Sequence, residues 1–247
     1  MGSIQQDLEG LAFTKPAETH EFSGLLFDMD GTIIDSTAAI IKHWHAIGEE
    51  LGVDPNVILA TSHGRRSIDV LKLYDPKLAT WEYVSSKESQ IPKLYGHSAI
   101  EIPGSRTLLD HISANSIPWA IVTSGTRPLV TGWLNVMSLA SPANLVTAED
   151  VRDGKPDPAC YLLGAEKLEL KTVGGKGGRI LVLEDAPAGV KAGKTAGFEV
   201  VGLATTHGVE ELRQAGADWI VRDMRSVRFV GWDREKVGIE IVDALEG

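Results

Sequence analysis

The chain is poor in cysteine and has no long hydrophobic run. Cys160 is its only cysteine in 247 residues, so no disulfide can form within the chain. The apolar residues around Cys160 predict a helix with a buried thiol rather than a nucleophile. No apolar stretch approaches the roughly 20 residues that a membrane-spanning helix needs. These absences suit a reducing compartment, and we expect a cytoplasmic location.

An excess of positive charge is also missing. The formal net charge is -10, from 34 Asp and Glu residues against 24 Lys and Arg residues. Such a chain repels the backbone of nucleic acids, so local cations or a metal ion must attract any anionic substrate. Residues 1–20 lack the basic and then apolar segments of a secretory signal, and we expect them to form a loosely held lead-in.

Short apolar runs alternate with helical patterns along the chain. This alternation predicts an α/β fold, with a Rossmann-like, mostly parallel sheet and helices on both faces. In such sheets the ligand lies beyond the carboxyl ends of the strands. The predicted strands are Gly24–Asp28, Trp119–Thr123, Asn144–Thr147, Arg179–Glu184, Glu199–Gly202 and Trp219–Val221.

Residues 36–102 differ in character, because they carry helical spacing of apolar residues and no convincing strand. We therefore predict a small helical domain, inserted after the first strand into an α/β core of residues 1–35 and 103–247. We expect Trp219–Val221 at an edge of the sheet, followed by a final helix.

Asp28 ends the first predicted strand, and Asp30 follows it just before a Gly-Thr turn. In an extended chain, the side chains of residues i and i+2 point the same way, so the two negatively charged carboxylates lie close together and repel each other. Such a pair is tolerated when a cation lies between its members or when one holds a proton. A carboxylate can attack phosphorus and a neighbouring acid can transfer protons, so we predict Asp28 as nucleophile and Asp30 as acid/base. The alternative is a solvated acidic turn.

Glu184 and Asp185 end another apolar strand, just before a helix. Hard oxygen ligands of this kind suit Mg²⁺. We predict Asp185 as a direct metal ligand, and Glu184 as a ligand or as a holder of metal-bound water. The alternative for Asp185 is a helix cap.

Two further motifs suit a phosphate group. Hydroxyls and backbone N–H groups that follow a strand and open a helix can hold phosphoryl oxygens, although Ser and Thr also cap helices. Lys155, held between a glycine and a proline, offers a fixed ammonium; its alternative is an exposed loop lysine. The predicted phosphate-binding residues are Thr123, Ser124, Gly125 and Lys155.

In this order, the motifs resemble those of the haloacid dehalogenase superfamily of phosphohydrolases, from about Ser23 to Gly208. The matching segments are Asp28-Met29-Asp30-Gly31-Thr32, Thr123-Ser124, Lys155-Pro156 and Glu184-Asp185. The resemblance implies that Asp28 is the nucleophile, that Asp30 is the acid/base and gives its carbonyl to Mg²⁺, and that the helical insert is a mobile cap. It also implies that Mg²⁺ bridges Asp28, Asp30 and Asp185.

Within the superfamily, further segments resemble the fungal glycerol-3-phosphatase and 2-deoxyglucose-6-phosphatase group. They are Thr123–Arg127, Gly154–Pro156, Glu184–Val190, Ser62–Asp69 and Ile102–Gly104. The dehalogenating members lack an acid at the second position, so Asp30 argues against dehalogenation.

In the insert, a cluster of cationic and potentially cationic residues surrounds Gly64. Because arginine is well shaped to grip phosphate or a sugar, we predict substrate contacts for His63, Arg65 and Arg66; the alternative is a solvated loop. His43 and His45 point to different faces of one predicted helix, so we expect packing or surface roles rather than a shared metal.

The resemblance implies a magnesium-dependent phosphohydrolase that acts through an aspartyl-phosphate. Its expected partner is a small phosphorylated metabolite, glycerol 3-phosphate first and 2-deoxyglucose 6-phosphate second, rather than a nucleic acid or a membrane. Two alternatives stay open: a sugar phosphomutase of the β-phosphoglucomutase type, and a non-enzymatic sensor of a phosphate ligand. The oligomeric state does not follow from the sequence, which is compatible with a monomer.

Overall fold

A computed structural model describes residues 8, 10–62, 64–170 and 178–246. Within these residues the core is a six-stranded sheet in which every neighbouring pair is parallel. This confirms the predicted α/β fold. In spatial order the strands are β10 (Trp219–Val221), β9 (Glu199–Leu203), β8 (Ile180–Glu184), β3 (Gly24–Phe27), β6 (Trp119–Val122) and β7 (Asn144–Val146).

The sheet separates two apolar clusters because successive side chains of a strand point to opposite faces. Leu25 and Phe27 of β3 belong to one cluster, and Leu26 belongs to the other. Strands that are buried on both faces consist of continuous apolar runs, and this made them easy to predict from the sequence. The helices that pack on the sheet are α6 (Ser105–Ala114), α7 (Arg127–Met137), α8 (Ala159–Lys167), α9 (Pro187–Thr195) and α10 (Val209–Ala215).

A helical segment lies between β4 (Ile34–Asp35) and β5 (Ile100–Glu101), which pair with each other in antiparallel fashion. The chain therefore leaves the core and returns to it at one place. The segment has an apolar cluster of its own, which includes Trp44, Ile58 and Val70. Its helices are α1 (Thr37–Leu51), α2 (Pro55–Ser62), α3 (Ser67–Tyr74), α4 (Trp81–Glu88) and α5 (Ile91–Tyr95).

The two ends of the described chain differ from expectation. Part of the predicted lead-in forms β1 (Phe13–Lys15) and β2 (Glu18–Phe22), and the predicted final helix is replaced by β11 (Val227–Trp232), β12 (Val237–Ile241) and β13 (Ala244–Leu245). Strand β12 pairs with both β11 and β2, and β1 pairs with β13. The physical reason is alternation, because buried and half-buried residues follow one another along β12. Among the described residues, no helix combines the length and the apolar character that a membrane span requires.

Candidate active site

The functional side chains meet at the carboxyl ends of the central strands. Phe27 pairs with Ile121 on one side and with Leu183 on the other, so the three strands end at one level. Asp28 and Glu184 are thereby brought into one cavity of about 120 Å³, which both the core and the helical segment line. Its lining includes all of the predicted core site residues: Asp28, Asp30, Thr123, Ser124, Gly125, Lys155, Glu184 and Asp185.

Lys155 is the centre of the polar network. Its buried Nζ donates hydrogen bonds to Asp28 Oδ1 at 2.5 Å, to Glu184 Oε1 at 2.7 Å and to the carbonyl of Val122 at 3.1 Å. Burial alone would lower the pKa of Lys155, but the two carboxylates outweigh it and raise that pKa. Lys155 is therefore a fixed cation beside Asp28, and not an exposed loop lysine.

Glu184 is fully supplied with donors. In addition to Lys155, its Oε1 accepts a hydrogen bond from the Tyr161 hydroxyl at 2.9 Å, and its Oε2 accepts from the backbone N–H groups of Asp185 and Ala186, both at 2.9 Å. A Cβ at Gly189 would overlap this carboxylate, so the glycine allows the close approach. Glu184 therefore holds Lys155 in place. Sequence reasoning missed Tyr161, whose only signal was its place on the helix after Lys155.

Asp185 is held by side chains from two loops. Thr32 Oγ1 donates to its Oδ1 at 3.2 Å, and the hydroxyl of Thr206, another residue that the sequence analysis missed, donates to its Oδ2. His207 Nδ1 lies 3.8 Å from Oδ2. Gly31 has a φ of +96°, and a side chain there would overlap the Asp185 carboxylate. The Gly-Thr turn therefore makes room for Asp185.

Asp30 differs from the other acids because it is half-buried and has no lysine partner in the described chain. Its Oδ1 accepts a hydrogen bond from Ser36 Oγ at 2.5 Å. Burial raises the pKa of Asp30 to about 6, Ser36 opposes the rise, and Asp185 adds to it. A carboxyl group with this pKa exchanges protons readily near neutral pH.

The acidic cluster fits a divalent cation. Asp28, Glu184 and Asp185 offer carboxylate oxygens that all lie within 4.8 Å of one another. Burial raises the pKa of Asp28 well above its ordinary value, and Lys155 opposes that rise. Three buried carboxylates thus face one buried ammonium, and a cation with two charges would balance the excess.

The predicted phosphate-binding loop follows β6. Thr123 Oγ1 accepts a hydrogen bond from the backbone N–H of Gly125 at 3.0 Å, which fixes the turn. Ser124 Oγ donates to the carbonyl of Gly64 in the helical segment at 3.1 Å. These residues share the cavity with Lys155, so a phosphoryl group beside Asp28 would meet hydroxyls on one side and an ammonium on the other.

The predicted cap residues differ in their position relative to the cavity. Arg65 is exposed and lines the cavity, whereas His63 lies outside the described residues. Arg66 needs correction, because its buried guanidinium donates to the backbone carbonyls of Ala148, Val151 and Arg152 and does not line the cavity. It joins the helical segment to the core.

Glu88 and His43 are among the further residues of the helical segment that line the cavity and were not predicted. Glu88 accepts hydrogen bonds from Ser67 Oγ at 2.5 Å and from the backbone N–H of Thr126 at 2.8 Å, and burial raises its pKa. His43, for which we expected a packing or surface role, is only 7% exposed and also lines the cavity. The helical spacing of apolar residues identifies which face of a helix is buried. It does not show whether a residue on that face packs in the core or lines a cavity.

Comparisons with known proteins agree with this geometry. The family model described as haloacid dehalogenase-like hydrolase matches residues 25–203. Glycerol-1-phosphate phosphohydrolase 2 of Saccharomyces cerevisiae is 37% identical over 235 residues, which cover 93% of each chain. The 2-deoxyglucose-6-phosphate phosphatase 1 of the same yeast is 35% identical over 241 residues, which cover 91% of this chain and 98% of that one.

A solved structure shares this fold. A hydrolase from Pseudomonas syringae superposes with a TM-score of 0.68 at 26% identity, covering 82% of this chain and 94% of the other. Together with the match of the family model over more than half of the sequence, this identifies the fold and the ancestry. The chain belongs to the haloacid dehalogenase-like hydrolases.

Proposed function

We propose that the protein is a magnesium-dependent phosphatase that releases phosphate from a small polyol or sugar phosphate, glycerol 3-phosphate first and 2-deoxyglucose 6-phosphate second. The observation that carries the proposal is the buried Lys155 ammonium, 2.5 Å from Asp28 Oδ1 and beside the acidic cluster. The yeast relatives named for phosphatase activity on a glycerol phosphate and on a deoxyglucose phosphate support the substrate class.

Asp28 and Asp30 divide the chemistry. Asp28 attacks phosphorus in line, and the bond from phosphorus to the alcohol oxygen breaks while Asp30 gives that oxygen a proton. Asp30 then takes a proton from water, which attacks the aspartyl-phosphate, releases inorganic phosphate and restores Asp28. The pKa of about 6 suits Asp30 to both steps.

The remaining groups handle charge, which dominates phosphoryl transfer. Lys155 and Ser124 hold phosphoryl oxygens, with Thr123 and Gly125 shaping the loop. Asp28, Asp185 and the backbone carbonyl of Asp30 would hold Mg²⁺, with Glu184 in support. When bound, Mg²⁺ supplies positive charge beside the phosphoryl oxygens.

We assign the role of a cap to residues 36–102 and the role of catalytic core to residues 1–35 and 103–247. The cap residue Arg65 lines the cavity, and we keep it as a proposed substrate contact. The cavity of about 120 Å³, which would hold the phosphoryl group as well as the alcohol portion, is slightly smaller than an engineered cavity of about 150 Å³ that holds benzene, so it suits a small phosphate ester. We keep the cytoplasm as the proposed location because the one cysteine is free and buried.

The test is phosphate release from a panel of small phosphate esters, with Mg²⁺ present and then chelated. We expect release from glycerol 3-phosphate that stops on chelation and returns with Mg²⁺. The variant D28N should lose about a thousandfold or more in kcat, because an amide cannot accept the phosphoryl group. The matched control D153N removes an exposed carboxylate two residues before Lys155 and should keep full activity.

Either of two results would contradict the proposal: no ester on the panel yields phosphate, or chelation leaves the rate unchanged. Turnover that requires a sugar bisphosphate and releases no phosphate would instead indicate a phosphomutase.

A further inference from the structure

His43 is a buried polar side chain without a protein partner among the described residues. It lies on α1, is 7% exposed and lines the cavity of the active site. Within residues 10–62, 64–170 and 178–246, neither ring nitrogen forms a hydrogen bond or ion pair, and the ring's one described aromatic contact is an edge arrangement against Trp44 at 5.3 Å between centroids. Polar groups in protein interiors are nearly always hydrogen-bonded to protein, water or ligand. Because His43 lines the cavity, its imidazole is open to a bound ligand there.

The charge state of His43 narrows the chemistry of that ligand. Burial, with a smaller contribution from the Lys87 ammonium, lowers the pKa of His43 to about 4. At neutral pH the ring is therefore uncharged, with one nitrogen that donates and one that accepts. A hydroxyl group also donates and accepts and can therefore use either ring nitrogen, whereas an anionic group can only accept and gains no ion pair from a neutral ring.

Two hydroxyl groups of the helical segment that line the cavity are already committed. Ser67 gives its proton to Glu88, and Glu88 also accepts from the backbone of Thr126. Ser36 gives its proton to Asp30. These two hydroxyl groups have already donated their protons within the protein. The imidazole of His43, in contrast, is still able to form hydrogen bonds with a molecule in the cavity. Lys155, Ser124 and the acidic cluster come from the core, so the phosphoryl group has its own partners elsewhere.

We propose that His43 is a specificity-determining residue, which hydrogen-bonds a hydroxyl of the alcohol portion of the substrate. This rests on the proposed function, because it assumes a phosphate ester bound with its phosphorus beside Asp28. It selects esters that carry a free hydroxyl over plain alkyl esters of the same length.

The experiment compares glycerol 3-phosphate with propyl phosphate, which has the same number of carbons and no free hydroxyl. In H43A we expect kcat/KM for glycerol 3-phosphate to fall roughly 3- to 10-fold, which is the net value of one hydrogen bond. The value for propyl phosphate should not change. Where propyl phosphate is turned over too slowly, its inhibition constant against glycerol 3-phosphate reports the same contact.

Two variants separate recognition from folding. H43Q should recover part of the lost preference, because an amide also donates and accepts. H45A changes the exposed histidine two residues further along the same helix and should leave both substrates unaffected. Because the two esters are compared in one protein preparation, partial misfolding cancels from the ratio.

An equal loss of kcat/KM on both esters in H43A would overturn the inference and leave His43 as a packing residue. No loss of kcat/KM on either ester would overturn it as well. A wild-type enzyme that hydrolyses neither ester nor any other would overturn the proposed function together with it, so the two failures are distinguishable.

Discussion

At the scale of single residues, the burial of His43 makes the folded protein less stable at acidic pH. The pKa of its imidazole falls from 6.5 to about 4 in the folded chain, first through burial and then through Lys87. Between these two values the unfolded chain binds a proton that the folded chain does not. The free energy of unfolding therefore decreases as the pH is lowered through this window, and it increases as the pH rises.

The variant H43Q should lose this part of the pH dependence. Between pH 7 and pH 4 we expect the wild type to lose about 3 kcal/mol more than H43Q, from the size of the shift in pKa. Denaturant unfolding followed by circular dichroism at several pH values measures the difference. H45Q, at an exposed position on the same helix, should follow the wild type, and parallel curves for wild type and H43Q would contradict the prediction.

Residues of the site differ in how visible they are in the sequence. Asp28, Lys155 and Asp185 could be predicted because each stands at a strand end or in a short constrained loop, and parallel strands bring such positions together. Tyr161 and Thr206 could not, because their roles exist only through contacts with Glu184 and Asp185 across the fold. Those contacts leave no pattern in the local chain.

At the scale of elements, Arg66 connects the helical segment to the loop that carries Lys155. Its guanidinium donates to the carbonyls of Val151 at 2.9 Å and of Arg152 at 3.0 Å, and its Nε donates to Asp69 at 2.7 Å. A Cβ at Gly154 would lie 2.7 Å from that Nε, so only glycine leaves space for it. The Arg66 guanidinium thus joins the helical segment to the loop just before Lys155.

Replacing Arg66 should therefore weaken both stability and turnover. R66A leaves buried carbonyl groups without donors, and we expect a loss of about 2–4 kcal/mol in the free energy of unfolding. The rate should also fall, because the loop before Lys155 loses its anchor. R66K should be intermediate, since an ammonium cannot reproduce the planar fork.

Denaturant unfolding and steady-state kinetics on the same preparations test this prediction. R65A is the matched control for stability, because Arg65 is the exposed neighbour and has no ion pair among the described residues. Should R66A unfold at the same denaturant concentration as R65A, the anchor would contribute nothing.

Elements buried on both faces were the easiest to predict. The strand around Leu26 was visible as an apolar run, and its predicted end differs from the observed one by a single residue. Strands β2 and β12 were missed because their faces differ in burial, which breaks up the apolar run. Their alternating pattern is short, and it gains meaning only when the two distant segments pair.

At the scale of the whole molecule, the two ends of the described chain close on each other. Phe13 on β1 pairs with Leu245 on β13, and Glu18 accepts a hydrogen bond at 3.0 Å from the indole of Trp219 on the edge strand of the central sheet. Glu18 of β2 thus holds the edge strand of the central sheet through a side chain, and β13, the partner of β1, packs beside that strand. Residues 13–20, which we expected to be loosely held, are part of the packed structure.

The variant F13A tests whether this packing stabilises the molecule. The Phe13 side chain is 7% exposed, belongs to an apolar cluster of the core, and lies beneath the Arg222 guanidinium at 4.2 Å from the ring centroid. Loss of a buried phenylalanine leaves a cavity, and we expect the free energy of unfolding to decrease by about 3 kcal/mol.

The matched control is L11A, two residues earlier, where the side chain is 37% exposed and its removal should change the free energy of unfolding little. Both variants should keep the kcat of the wild type well below their unfolding temperatures, because the proposed catalytic residues Asp28 and Asp30 lie outside β1. If F13A and L11A unfold alike, residues 13–15 do not contribute to the stability of the fold, and the closure of the two ends has no energetic weight.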